Sequence, residues 1–166
     1  MINEVVLTAL FKVLNRIFPF LAKKIYSESD FIKHIDVDVR SSNPVEICLN
    51  GKIPEVTIYL KITNRSPYLD VEFDRAVFSL WVQNGGRHSL IKDFWILSPV
   101  SIKKGEGKEI FCQKELNKFQ VDFVKRIKDS KGVTASLSSF KLWFNSSVYP
   151  SAVIETDLEN KPCRIS

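Results

Sequence analysis

Between Val56 and Thr63 apolar and polar side chains alternate without a break: Val56, Ile58, Leu60 and Ile62 on one side, Thr57, Tyr59, Lys61 and Thr63 on the other. A period of two buries a single face only in a β-strand, where successive side chains point to opposite sides. The same period recurs before and after. Ile35, Val37 and Val39 alternate with His34, Asp36 and Asp38, and Val45, Ile47 and Leu49 alternate with Glu46 and Cys48 ahead of the turn signal Asn50-Gly51. In Val71 to Val82 the apolar parity switches from Val71 and Phe73 to Ala76, Phe78, Leu80 and Val82, which predicts a bulge near Asp74 and Arg75. Asn84-Gly85-Gly86 reads as a turn, and further strands are predicted at Ser89 to Leu97, Lys108 to Lys114, Val133 to Phe144 and Val148 to Glu155. Roughly eight strands, each with one apolar face to cover, favour two sheets packed face to face. A single domain accommodates them, since the chain has 166 residues.

One helix interrupts the series. Asn117 followed three residues later by Gln120 reads as a capping box; Leu116, Phe119, Phe123 and Ile127 keep helical spacing and predict its buried face. Lys125, Arg126 and Lys128 suit the negative end of the helix dipole, and Gly132 marks the stop.

The first 25 residues carry a different period. On a helical wheel Glu4, Thr8, Lys12, Asn15, Arg16 and Lys23 share one sector, and Val6, Leu10, Val13, Leu14, Ile17, Phe18 and Leu21 fill the rest. Pro19 is expected to end or kink this helix near Phe18. The uncharged runs, Val5 to Phe11 and Ile17 to Ala22, fall far short of the ~20 apolar residues of a membrane span, and the acidic start Met1-Ile2-Asn3-Glu4 is unlike a signal peptide. Two roles are open to the helix: lying on an anionic membrane surface with Lys12 and Arg16 near head groups, or packing on the domain or a protein partner. The division expected is a helical segment, 1–30, and a sandwich, 31–166.

The formal net charge is +5, but residues 1 to 24 contribute +3, residues 25 to 100 contribute −2 and residues 101 to 131 contribute +4. The excess therefore belongs to the two helical segments. The aromatics near the second, Phe119 and Phe123, fall at core spacing and not as a stacking platform, so the charge argues against a nucleic-acid partner.

No catalytic constellation is spelled out. Asp70, Glu72 and Asp74 share the start of a strand and could hold a divalent cation, but no calcium-type ligand loop accompanies them, and a solvated sheet edge is the plainer reading. His34 and His88 are too far apart in sequence to argue a triad or a metal site. Cys48 and Cys112 read as core thiols, and with Cys163 the odd count gives no disulfide framework, so a reducing, cytoplasmic setting is expected. Asn64-Arg65-Ser66 and Asn145-Ser146-Ser147 fit the glycosylation triplet without a secretion signal beside them, and Gly105-Glu106-Gly107 lacks the third glycine and following helix of a dinucleotide loop. Neither a metal nor a cofactor is expected, and an enzyme is the class with least support.

The strand and turn Ile58-Tyr59-Leu60-Lys61-Ile62-Thr63-Asn64-Arg65-Ser66-Pro67-Tyr68 resembles the water-stress and hypersensitive-response (WHy) domain of atypical late-embryogenesis-abundant proteins, in which an alternating strand ends in Asn-Pro-Asn or a close variant. Asn64 and Pro67 carry the likeness, with Arg65 where the family usually has proline. The order of elements through Gly105, Gly107, the strand at Ile110, the helix from Lys118 and the strand at Val133 extends it over roughly residues 33 to 156. The resemblance implies a mainly β, immunoglobulin- or fibronectin-type-III-like antiparallel sandwich with one late crossover helix, without known catalysis, tied to stress protection and often placed behind an N-terminal membrane-associated segment. The function expected is thus a binding or protective sandwich, with a membrane surface or a protein as partner of the N-terminal helix. The alternative is a sandwich that binds a lipid or small apolar ligand in a cavity closed by that helix.

Overall fold

The computed structural model describes residues 4–17 and 19–166. Three short helices come first: α1 (Glu4–Ile17), α2 (Pro19–Ile25) and α3 (Glu28–Lys33). Pro19 opens α2, the position where a missing backbone N–H costs least; Phe18 lies outside the described residues. α3 is capped by Ser27, whose Oγ accepts from the Asp30 amide at 3.1 Å. The strand series begins only at Ile35, and Phe31 is instead a buried helix residue.

The strands are β1 (Ile35–Val39), β2 (Val45–Cys48), β3 (Glu55–Asn64), β4 (Val71–Asn84), β5 (Arg87–Ile102), β6 (Gly107–Glu115), β7 (Thr134–Ser146) and β8 (Ala152–Ile165), with α4 (Lys118–Ile127) between β6 and β7. The fold is mainly β, as the alternation predicts. β3 is the centre of a first sheet, paired along one edge with β6 and along the other with β1 and β2 end to end, all antiparallel. A second sheet runs β5-β4-β7-β8, also antiparallel. β8 belongs to both: its first part pairs with β7, and Cys163 to Ile165 pair with Val45 to Ile47 of β2 in parallel. That parallel seam makes the sheet mixed where antiparallel pairing throughout was expected. The bulge predicted near Asp74 is present as a register shift between Phe73 and Arg75 on both neighbours of β4.

Between the layers the alternating apolar sides meet. Val56, Ile58, Leu60 and Ile62 of β3 are buried, as are Phe78, Leu80 and Val82 of β4. Phe78 stacks on Phe94 with ring centres 5.0 Å apart and meets Phe140 edge-on at 4.8 Å. Phe73 meets Phe144 at 5.8 Å.

Three local readings differ from the structure. β8 begins at Ala152, not Val148, because Ser146 Oγ accepts from the amides of Val148 and Tyr149 and Asn145 Oδ1 accepts from Ser151, folding 147–151 into a turn. β8 then runs to Ile165 through Glu155 to Lys161, where Leu158 is the one apolar side chain, so no apolar alternation shows in the sequence. α4 has the predicted capping box, with Asn117 Oδ1 accepting from Gln120 N at 3.0 Å and Gln120 Oε1 from Asn117 N at 2.8 Å. Yet Phe119 is 85% exposed, because Gln120 Nε2 donates to the Ile91 carbonyl and sets that side of the helix on β5. Cys48 is the third: it lines a groove on the outside of the first sheet instead of the core.

Phe78→Ala removes the side chain at the centre of the phenylalanine cluster. It is expected to lower stability by about 3 to 5 kcal/mol, read as a shift in urea midpoint at unchanged slope.

Candidate functional surface at the helical end of the sandwich

The residues of the family-like motif build one end of the sandwich. Asn64, the last residue of β3, is fully buried; its Nδ2 donates to the Leu69 carbonyl at 2.9 Å and the Ile102 carbonyl at 3.2 Å, and its Oδ1 accepts from the Ser66 amide at 2.9 Å. One carboxamide thus ties β3 to the 65–70 loop and to the end of β5 in the opposite sheet. Ser66, also buried, accepts at Oγ from the Leu69 amide and from the Tyr26 hydroxyl at 3.2 Å. His34 Nδ1 lies 2.6 Å from the Asp30 carbonyl and 3.1 Å from Tyr26 Oη; because a carbonyl only accepts, Nδ1 carries the ring proton and its single N–H points to Asp30, with Tyr26 Oη at the longer distance. The Tyr149 hydroxyl donates to the Tyr26 carbonyl. Burial pushes the phenols of Tyr26 and Tyr149 above their ordinary range, so both stay protonated donors at neutral pH. Pro67 is partly buried, and its carbonyl accepts from Lys104 Nζ at 3.2 Å.

The first helix is seated on this end by Phe11, a residue the sequence reading did not single out. Its ring is buried, stacked on Tyr68 at 4.8 Å and edge-on to Tyr26 at 6.1 Å. Ala22 of α2 is fully buried, and Asn15 Nδ2 donates to Ser147 Oγ at 3.3 Å. The signal for Phe11 was Tyr68 in the motif, but nothing in a linear pattern pairs them.

With Phe11 turned inward, the wider apolar side of α1 faces out. Val6, Leu10, Val13 and Ile17 are each between 51 and 59% exposed. They step by four, three and four residues, which keeps them in one straight seam along the helix. Lys12 and Arg16 are exposed on the adjoining sector, and Lys23 and Lys24 on α2. Leu14 and Leu21 are half-buried and stand apart from this ridge. No described helix is long and apolar enough to cross a membrane.

The remaining candidates do not converge. Asp70 accepts from the Lys104 amide at 2.9 Å, Asp74 lies 3.9 Å from Arg75 and Glu72 is exposed, so the three carboxylates do not form a cation site. Among the described residues no three His, Cys, Asp or Glu side chains gather as a metal site. His34 sits in the end cluster, whereas His88 lies at the opposite end beside Trp81, 5.8 Å between rings. Burial pushes the Cys112 and Cys163 thiols up to about 12, which leaves them inert at neutral pH. A groove of 630 Å³ between β1 and β8 is lined by Asp36, Lys61, Arg65 and Glu155, and is crossed by ion pairs of Arg65 with Asp36 and, at 2.7 Å, Lys161 with Asp38.

No protein-family model matches the chain, and no curated protein does. Among solved structures, a protein assigned to the late embryogenesis abundant (LEA) class is 12% identical, with 95% of this chain and 86% of that one covered at a TM-score of 0.48. A protein from Archaeoglobus fulgidus is 14% identical over 74% of this chain and 94% of that one at a TM-score of 0.42. The structural genomics target SoR45 is 9% identical over 76% and 82%, also at 0.42. At these scores the likenesses assign neither a family nor an activity.

Asn64→Ala leaves two carbonyls and an amide buried without partners. It is expected to cost about 2 to 4 kcal/mol in urea unfolding, and Asn64→Asp to be no more stable than Asn64→Ala, because a carboxylate still accepts from Ser66 but cannot donate to Leu69 and Ile102 and buries a charge against their carbonyls. A loss of under about 0.5 kcal/mol, the size of a neutral surface change, would show that the carboxamide does not hold this end together.

Proposed function

We propose that this chain is a non-catalytic protective sandwich of the WHy type that docks on anionic membrane surfaces through the exposed ridge of α1. The observation that carries the reading is the ridge itself: Val6, Leu10, Val13 and Ile17 in one outward seam, bordered by Lys12 and Arg16, on a helix whose opposite side is already fixed by Phe11. Four side chains of this kind bury into the head-group and acyl boundary, while each nearby basic residue adds about 1 kcal/mol at an anionic surface. The clamp at Phe11 also holds the helix formed before it meets lipid, so docking does not carry the cost of nucleating it. The stress-protective element of the proposal rests on the Asn64 to Tyr68 motif and on the order of sandwich strands and crossover helix. The alternative of an apolar ligand between the sheets draws no support from the interior, which Phe73, Phe78, Phe94, Phe140 and Phe144 fill.

Co-sedimentation of the full chain with phosphatidylcholine vesicles, with and without phosphatidylserine, tests this. Binding is expected with the anionic vesicles, weakened by salt, and at least about tenfold lower for Leu10→Asp/Ile17→Asp, each substitution removing on the order of 1.5 kcal/mol or more of apolar burial. Equal partition of variant and wild type, or no binding by either, would take the membrane role away from α1.

A further inference from the structure

All three tryptophans of the chain, Trp81, Trp95 and Trp143, lie on the outer face of the second sheet, away from the core. Buried Ala76, Phe78, Leu80 and Val82 fix which side of β4 is inward, so Arg75, Val77, Ser79 and Trp81 point out, and their cross-strand partners share that side. The register places Trp143, Arg75 and Leu97 in one row across β7, β4 and β5, Val77 and Trp95 in the next, and Ser79 and Asp93 in the third. Trp95 is 66% and Leu97 72% exposed, where a soluble domain ordinarily puts polar side chains. Tryptophan and arginine side by side, with an exposed leucine beside them, are nearer the composition of a protein-binding centre than of a solvated sheet.

The charges around this patch say what fits it. The Arg75 guanidinium lies over the Trp143 ring, 4.7 Å from its centre, on one side of the Val77 row. Asp93 lies on the other side, accepting from the Ser79 hydroxyl at 2.6 Å. The cation and the anion are four residues of strand apart, about 13 Å. Half a turn about an axis lying in this face, passing between Val77 and Trp95 and inclined by about 20° to the rows, carries the Arg75 position over that of Asp93 one strand away. A second copy laid on this face by that rotation sets Arg75 against Asp93 twice and brings Trp95 to within about 2 Å, in projection, of its own equivalent. Lys141 comes near its own equivalent, but each is paired at 2.8 Å with Glu155 of its own chain, and Arg75 exchanges its long, 3.9 Å contact with Asp74 of its own chain for the carboxylate across the interface.

We propose that this face is an isologous interface between two copies of the chain, centred on Trp95 and closed on each side by an Arg75 to Asp93 ion pair. It lies on a sheet face, not on the α1 ridge, so it stands or falls apart from membrane docking.

Sedimentation velocity of the full chain from about 1 to 100 µM, a range that spans the affinities of modest interfaces, provides the test. A concentration-dependent dimer is expected, abolished by Trp95→Asp and retained by Leu10→Asp/Ile17→Asp. Arg75→Asp and Asp93→Arg are each expected to weaken it about tenfold or more, and the double variant to return to within about threefold of wild type, as double-mutant cycles do for paired charges. A chain monomeric throughout, a dimer that survives Trp95→Asp but not the α1 substitutions, or a double variant no stronger than the single ones would each overturn the proposal.

Discussion

The buried carboxamide of Asn64 is the constraint around which one end of the molecule is arranged. A neutral side chain with two donors and an acceptor can satisfy three backbone groups at once, and here those groups belong to the loop leaving β3 and to the end of β5 in the other sheet. Because the loop is fixed, Ser66 is held where it accepts from Tyr26, and Tyr68 is held where it receives Phe11. Phe11 of α1 therefore attaches not to a strand but to a turn that the carboxamide has made rigid, while Asn15 and Tyr26 reach the separate turn at Ser147 and Tyr149. Buried networks of this sort are costly if half-satisfied and specify one arrangement when complete.

The same chain of contacts decides which side of α1 is left over. A helix with an apolar face wider than its docking site must expose part of it, and the anchoring of α1 through the buried Phe11 leaves the Val6 to Ile17 seam outward. Helix periodicity established that a broad apolar face exists. It could not say which part of that face the domain would use, because the choice is made by Tyr68 and Tyr26, more than 50 and 10 residues downstream of Phe11 respectively.

Strand positions in the core were readable because each strand has one wet and one dry side, and a period of two survives any change in neighbours. Even the bulge at Asp74 was legible, as a slip of parity. What escaped the sequence was set by contacts between distant elements. Phe119 has core spacing but is turned out by the bond from Gln120 to Ile91; β8 starts late because Asn145 and Ser146 use their side chains to bend the chain; α3 is a single capped helix too short to show a period. The Asn64 motif was visible as a string, while its meaning, a clamp between sheets, appears only when Leu69 and Ile102 are brought to it.

The parallel seam between β2 and the end of β8 has a mechanical consequence. Leu49 N donates to the Ser166 carbonyl at 2.8 Å and Ser166 N to the Ile47 carbonyl at 2.9 Å, so a strand near the start of the sandwich is stitched to the last residues of the chain. Tension applied between α1 and the C-terminal residues pulls these two strands in opposite directions along their length. All the bonds of the seam then carry load together, in shear, and none can be peeled before its neighbours.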